Sequence, residues 1–104
     1  MPRDKASKRV TKRLTLTYSD GVVQYNGITS NISATGVFIR TRNPFPPGTN
    51  IRLKIETDKG KDIVAEGVVV WALKTGIVDF KNGMGVRLTN IPEAYKELLM
   101  ESYD

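Results

Sequence analysis

From Leu14 to Tyr18 apolar and polar residues alternate, so Leu14, Leu16 and Tyr18 share one face of a half-buried strand. The same period of two sets Ile51, Leu53 and Ile55 against Arg52, Lys54 and Glu56, and Met84, Val86 and Leu88 against Gly85, Arg87 and Thr89. Three further strands are predicted. Val22 to Tyr25 runs on toward Asn31 with a bulge at Gly27, Val37 to Thr41 is β-branched and aromatic, and Ile63 to Leu73 is the most β-rich stretch of the chain. Trp71 in that last stretch reads as a core or rim residue rather than a base-stacking platform.

The punctuation agrees with six short strands. Ser19-Asp20-Gly21 has hairpin-turn chemistry, and Pro44, Pro46 and Pro47 forbid regular ladder pairing before Gly48. Thr57-Asp58-Lys59-Gly60 supplies another turn, and a polar link runs from Lys74 to Gly83. At the C-terminal end the period changes. Asn90-Ile91-Pro92-Glu93 carries N-terminal helix signals, and Tyr95, Leu98, Leu99 and Tyr103 recur at helical spacing. The expected fold is all-β with one C-terminal helix: a six-stranded antiparallel β-barrel, closed to remove strand edges, with the helix laid across an opening.

Composition narrows the chemistry. The 104 residues suit one domain, and there is neither cysteine nor histidine. Disulfides, thiolate or imidazole metal sites and Ser-His or Cys-His nucleophile pairs are thereby excluded, and no two carboxylates are spaced as an acid and base pair. The reading is a binding protein, not an enzyme, with no catalytic residue and no metal site. No apolar leader follows Met1 and no run is long enough to span a bilayer, so the expected location is the cytoplasm.

Charge divides the chain into two parts. Residues 1–13 hold Arg3, Lys5, Lys8, Arg9, Lys12 and Arg13 against Asp4, a surplus of five that equals the net charge of the whole chain, +5. Residues 14–104 therefore form a neutral body, and residues 1–13 a basic arm, flexible in expectation and suited to an anion. The body offers one polar interruption between strands, Asn31-Ile32-Ser33-Ala34-Thr35-Gly36. Asn31 and Ser33 are two apart and point to one side of an extended backbone, while Gly36 offers conformations closed to other residues.

Arg9-Val10-Thr11-Lys12-Arg13 fits an RxxxR pattern, and Asn31 to Gly36 fits [D/N]xSxxG. In this order, with Gly36-Val37-Phe38-Ile39, Pro47-Gly48, Val70-Trp71 and Gly83-Met84-Gly85-Val86 behind them, the chain resembles the PilZ family of bacterial cyclic di-GMP receptors over nearly its whole length. The resemblance implies a ligand, cyclic di-GMP, held by Arg9, Arg13, Asn31, Ser33 and Gly36, with no other cofactor. A second register is open. Arg13 directly abuts the first strand, whereas the family usually leaves several residues there, so Lys5-Ala6-Ser7-Lys8-Arg9 is the alternative, with Lys5 in the place of the first arginine.

Arginine suits this ligand because its planar fork grips phosphate, pairs with guanine O6 and N7, or stacks on the base. The resemblance further implies an arm that orders over the barrel on binding and signals to a protein partner, in motility, pilus or biofilm control. Two other readings compete with it: a barrel that has lost nucleotide binding and serves as a protein-interaction adaptor, and a small single-stranded nucleic-acid-binding barrel. The neutral body argues against the last, and no nucleic-acid partner or membrane insertion is expected.

Overall fold

The alternating apolar positions of Leu14 to Tyr18, Ile51 to Ile55 and Met84 to Leu88 all point to one interior. The computed structural model describes residues 9–58, 60–75 and 82–102. Its elements are β1 (Val10–Thr11), β2 (Thr15–Ser19), β3 (Gln24–Ile32), β4 (Gly36–Arg40), β5 (Asn50–Glu56), β6 (Asp62–Leu73), β7 (Gly83–Leu88) and α1 (Glu93–Glu101). Every strand pairing is antiparallel. The order β3-β2-β5-β6-β7-β4 closes through a β3–β4 pairing, which makes the expected six-stranded barrel. The short β1 lies outside that ring, on the β2 side of β3, with Val10 opposite Ile32 and Thr11 opposite Asn31.

Leu16, Tyr18, Ile39, Leu53, Ile55 and Met84 are among the fully buried side chains that fill the barrel. Helix α1 closes one end. Its Tyr95, Leu98 and Leu99, at the i, i+3, i+4 spacing of a single face, belong to the same core. Pro92 stands at the N-cap in an extended conformation, one position ahead of the helix, and Glu93 lies in the first turn, where the helix dipole favours an acid. Tyr103, read into the helical stripe, lies outside the described residues.

Two local expectations are corrected. There is no bulge at Gly27, since β2 and β3 stay in register through Leu16↔Gly27. Gly27 is glycine for space, because a Cβ there would sit 2.8 Å from the Ile39 Cγ2 inside the barrel. The irregularity of β3 falls later, between Thr29 and Asn31 in its pairing with β4. The second correction concerns Val22 and Val23, which belong to the turn rather than to the strand that starts at Gln24. There Asp20 Oδ1 accepts the backbone N–H groups of Val22 and Val23 at 2.9 and 3.0 Å, and Gly21 adopts φ +97°.

The segment before β2 is tied down by a residue that its sequence does not advertise. Thr29, fully buried, accepts the Leu14 N–H on its Oγ1 at 2.8 Å and donates to the Lys12 carbonyl oxygen. Between β1 and β2 the ladder to β3 is interrupted around Arg13, and this hydroxyl satisfies two of the backbone groups beside the break.

Candidate functional site

The polar turn is a hairpin between β3 and β4. Ser33 N–H donates to the Gly36 carbonyl at 2.9 Å, and the Ser33 Oγ accepts the Gly36 N–H at 3.2 Å. Ser33 is only 5% exposed, so its side chain shapes the turn more than it faces solvent. From the helix, the Tyr95 hydroxyl donates to the Ser33 carbonyl oxygen at 2.6 Å and lies 3.1 Å from that of Gly36. From β7, the Leu88 N–H donates to Thr35 O at 2.9 Å. The turn is thus held from three sides before any ligand arrives.

Gly36 is required for a reason different from the one expected. It lacks a positive φ; among the described residues the positive-φ glycines are Gly21, Gly48 and Gly60. A Cβ at Gly36 would lie 2.9 Å from the Val86 carbonyl oxygen, so close approach of β4 to β7 makes the demand.

The shift in β3 register turns Asn31 outward, opposite Phe38. There Arg9 reaches it: the Arg9 Nη1 donates to Asn31 Oδ1 at 2.8 Å, joining residues 22 positions apart. Because Asn31 is neutral, this contact orients the guanidinium without cancelling its charge. The positive charge of Arg9 remains available to an anion.

Asn31, Phe38, Gly85 and Trp71 are successive register partners across β3, β4, β7 and β6. Gly85 makes room for the last of them, since a Cβ there would fall 2.2 Å from Trp71 Nε1. The Trp71 and Phe38 rings stack with centroids 5.1 Å apart and planes 26° from parallel. An irregularity between Val69 and Trp71 brings Val70 and Trp71 both to the outside. A cavity of about 170 Å³ lies in this region, lined by Arg9, Ser33, Gly36, Phe38, Trp71 and Arg87 among others.

The structure therefore brings together Arg9, Asn31, Ser33 and Gly36. It does not bring Arg13 to them: Arg13 is exposed and does not line the cavity. Lys5 lies outside the described residues. Phe38 and Arg87 of this region were not expected from the sequence, and Trp71 was expected only as a core or rim residue. The signal for Trp71 was the Gly83-Met84-Gly85 segment, because an outward glycine on a strand leaves a neighbouring aromatic ring a place to lie. Among the described residues no group of acidic side chains could hold a metal ion, and no helix is long and apolar enough to cross a membrane.

A closed six-stranded barrel with a helix across one end, and an arm residue docked on the β3–β4 turn, define a PilZ-type architecture. The PilZ domain family model matches residues 4–103, and the chain belongs to that family. Among solved structures it is similar to the inhibitor of motility MotI/DgrA of Bacillus subtilis, with a TM-score of 0.70 and 19% identity. That match covers 89% of this chain and 46% of the other, so this chain spans about half the length of the Bacillus protein. The PilZ domain of YcgR from Escherichia coli, solved with c-di-GMP, matches at a TM-score of 0.66 and 10% identity, covering 89% and 83% of the two chains. The PilZ domain of CeSA from a cellulose-synthesizing bacterium matches at 0.62 and 15%, covering 91% and 93%. A comparison with curated protein sequences finds no match.

Proposed function

We propose that this chain is a non-catalytic cyclic di-GMP receptor of the cytoplasm. Arg9 and Asn31 present the ligand-facing surface, and Ser33 and Gly36 hold the turn that carries it. The observation that carries the reading is the 2.8 Å contact between Arg9 and Asn31, which unites the two separated halves of the family signature. Arg9 would meet a phosphodiester or the O6 and N7 edge of guanine, and the Asn31 amide would serve a guanine edge. Membership of the PilZ family and the likeness to a YcgR domain solved with c-di-GMP support this ligand.

Arg9 is common to both registers of the arm, and its partner at the ligand is Arg13 in one and Lys5 in the other. Among the described residues two pairs hold β1 to β3, so ligand contacts that reinforce them would fix the basic arm and alter the surface shown to a protein partner. Control of motility is the output we favour, in line with the motility inhibitor among the similar structures. Calorimetric titration with cyclic di-GMP tests the reading. Saturable binding that falls in Arg9→Ala supports it, and absence of binding to the unaltered chain sinks it.

One observation favours a second reading. Arg13 stands away from the cavity, which is what a barrel that has given up the nucleotide and kept its adaptor role would tolerate. The same titration separates the two.

A further inference from the structure

The neutral body is not neutral everywhere. No Asp or Glu occurs between Asp20 and Glu56, nor between Glu66 and Asp79, nor between Asp79 and Glu93. Consequently β3, β4, β7 and the second half of β6 carry no carboxylate at all. These are the four strands that neighbour one another on one side of the barrel. Arg40 and Arg87 stand exposed on their outer face, with Arg42 and Lys74 exposed just past the ends of β4 and β6. None of the four makes an ion pair with a described residue. The contrast is with β5, where Arg52 pairs with Glu66 at 3.2 Å and Lys54 with Asp62 at 3.5 Å.

The same face exposes apolar surface. Ile28, Arg40, Gly83 and Leu73 are register partners in one row, beside the row of Phe38, Gly85 and Trp71. Ile28 is 48% exposed, Val70 48%, Trp71 43% and Leu73 43%. Aliphatic and aromatic side chains in the middle of a sheet face, flanked by unpaired cations, have the anatomy of a protein interface: an apolar centre with a charged rim.

We propose that the outer face of β3, β4, β7 and β6 docks a partner protein whose own surface sets carboxylates around exposed apolar side chains. Charge complementarity selects the acidic partner, since a face with no carboxylate of its own attracts one and repels basic surfaces. A nucleic-acid strand fits less well. Trp71 and Phe38 stack on each other, and Ile28 and Leu73 between the cations offer nothing for a base to stack on. The proposal rests on the reading above in taking a protein partner as the output, and the face adjoins the candidate nucleotide cavity, which Val70, Trp71 and Arg87 also line, while Ile28, Arg40 and Leu73 stand outside it.

Trp71 is the sole tryptophan, so its emission reports on this face directly. The test, run without nucleotide, titrates the full chain with a short peptide in which glutamates flank a central pair of leucines. The controls are the same peptide with lysines for glutamates, an oligothymidylate and vesicles of phosphatidylglycerol. The expected result is a saturable change in Trp71 emission with the acidic peptide, about tenfold weaker in Arg40→Glu and in Leu73→Ser, and unchanged in Lys54→Gln on the opposite side. Circular dichroism of each variant confirms that the barrel is intact. No response to the acidic peptide, an equal response to the lysine peptide, or a stronger response to the oligonucleotide or the vesicles overturns the proposal. Because no nucleotide is present, any of these outcomes leaves the cyclic di-GMP reading to its own titration.

Discussion

The Tyr95 hydroxyl of helix α1 donates to the Ser33 carbonyl oxygen at 2.6 Å, across 62 positions of sequence, so the helix at the end of the barrel holds the turn of the candidate site. Tyr95 is fully buried, and its ring stays packed when the hydroxyl is removed. Tyr95→Phe is therefore expected to cost about 1–3 kcal/mol, the penalty for leaving a buried carbonyl without its donor. Urea unfolding should give a lower midpoint with an unchanged slope. Cyclic di-GMP affinity should fall with it, because the Asn31-to-Gly36 turn loses its support from below.

Thr29 does comparable work for the other half of the site. Its hydroxyl serves both Leu14 N–H and Lys12 O, just downstream of Arg9. Thr29→Val keeps the shape and removes both hydrogen bonds, so a loss of about 1–3 kcal/mol is expected in denaturant unfolding. Amide hydrogen exchange should show the larger effect from Val10 to Leu14, with β5 and β6 little changed, since only the arm's attachment depends on this hydroxyl.

Gly36→Ala places a methyl group 2.9 Å from the Val86 carbonyl oxygen, a backbone atom that moves only with β7. We expect a destabilisation of about 1–3 kcal/mol by overpacking, read from thermal unfolding. At Gly48 nothing lies within 4 Å of an added Cβ, but φ is +95°. Gly48→Ala is destabilising for the other reason, conformational strain, and should leave cyclic di-GMP affinity unchanged.

Burial pushes the Tyr18 phenol above its ordinary value, against a smaller opposing effect of its hydrogen bond with Thr41. The phenol also donates to the Asn43 carbonyl oxygen at 2.7 Å. Because the folded value is raised above the unfolded one, about 10, its contribution to stability is complete below that pH and is lost as pH rises through the folded value. Unfolding midpoints of the unaltered chain should therefore fall steeply above pH 10. Those of Tyr18→Phe should start lower and fall less.

The barrel was legible because a strand with one face in the core writes a period of two, and Ile51-Leu53-Ile55 or Met84-Val86-Leu88 can be read in no other way. The helix was legible from its change of period. What the period could not carry was the irregular positions. The β3 irregularity between Thr29 and Asn31 reverses which residues face outward, and a glycine in the strand pointed to Gly27 instead. Gly36 was singled out for its backbone conformation, but the demand for a glycine comes from the carbonyl of Val86, 50 positions away, and local chemistry does not foretell that. Trp71 was set aside because a tryptophan in a β-rich run is more often a core or rim residue than a stacking platform. Here the extra residue at Val70 places it on the outer face, over the bare backbone of Gly85. Ten acids balance ten bases in residues 14–104, yet four adjacent strand segments carry none of the acids, a distribution that the sum conceals.

The central claim, that Arg9 and Asn31 together form the nucleotide-facing surface, is tested most directly by calorimetric titration of cyclic di-GMP into the unaltered chain, Arg9→Ala, Asn31→Ala and the double variant. Each single change is expected to remove about 1.5–3 kcal/mol, roughly ten- to hundredfold in Kd, for the loss of hydrogen bonds to a charged group. The double variant should lose less than the sum, because Arg9 is oriented by Asn31 and the two act as a unit. Binding that is unchanged in both single variants would contradict the account.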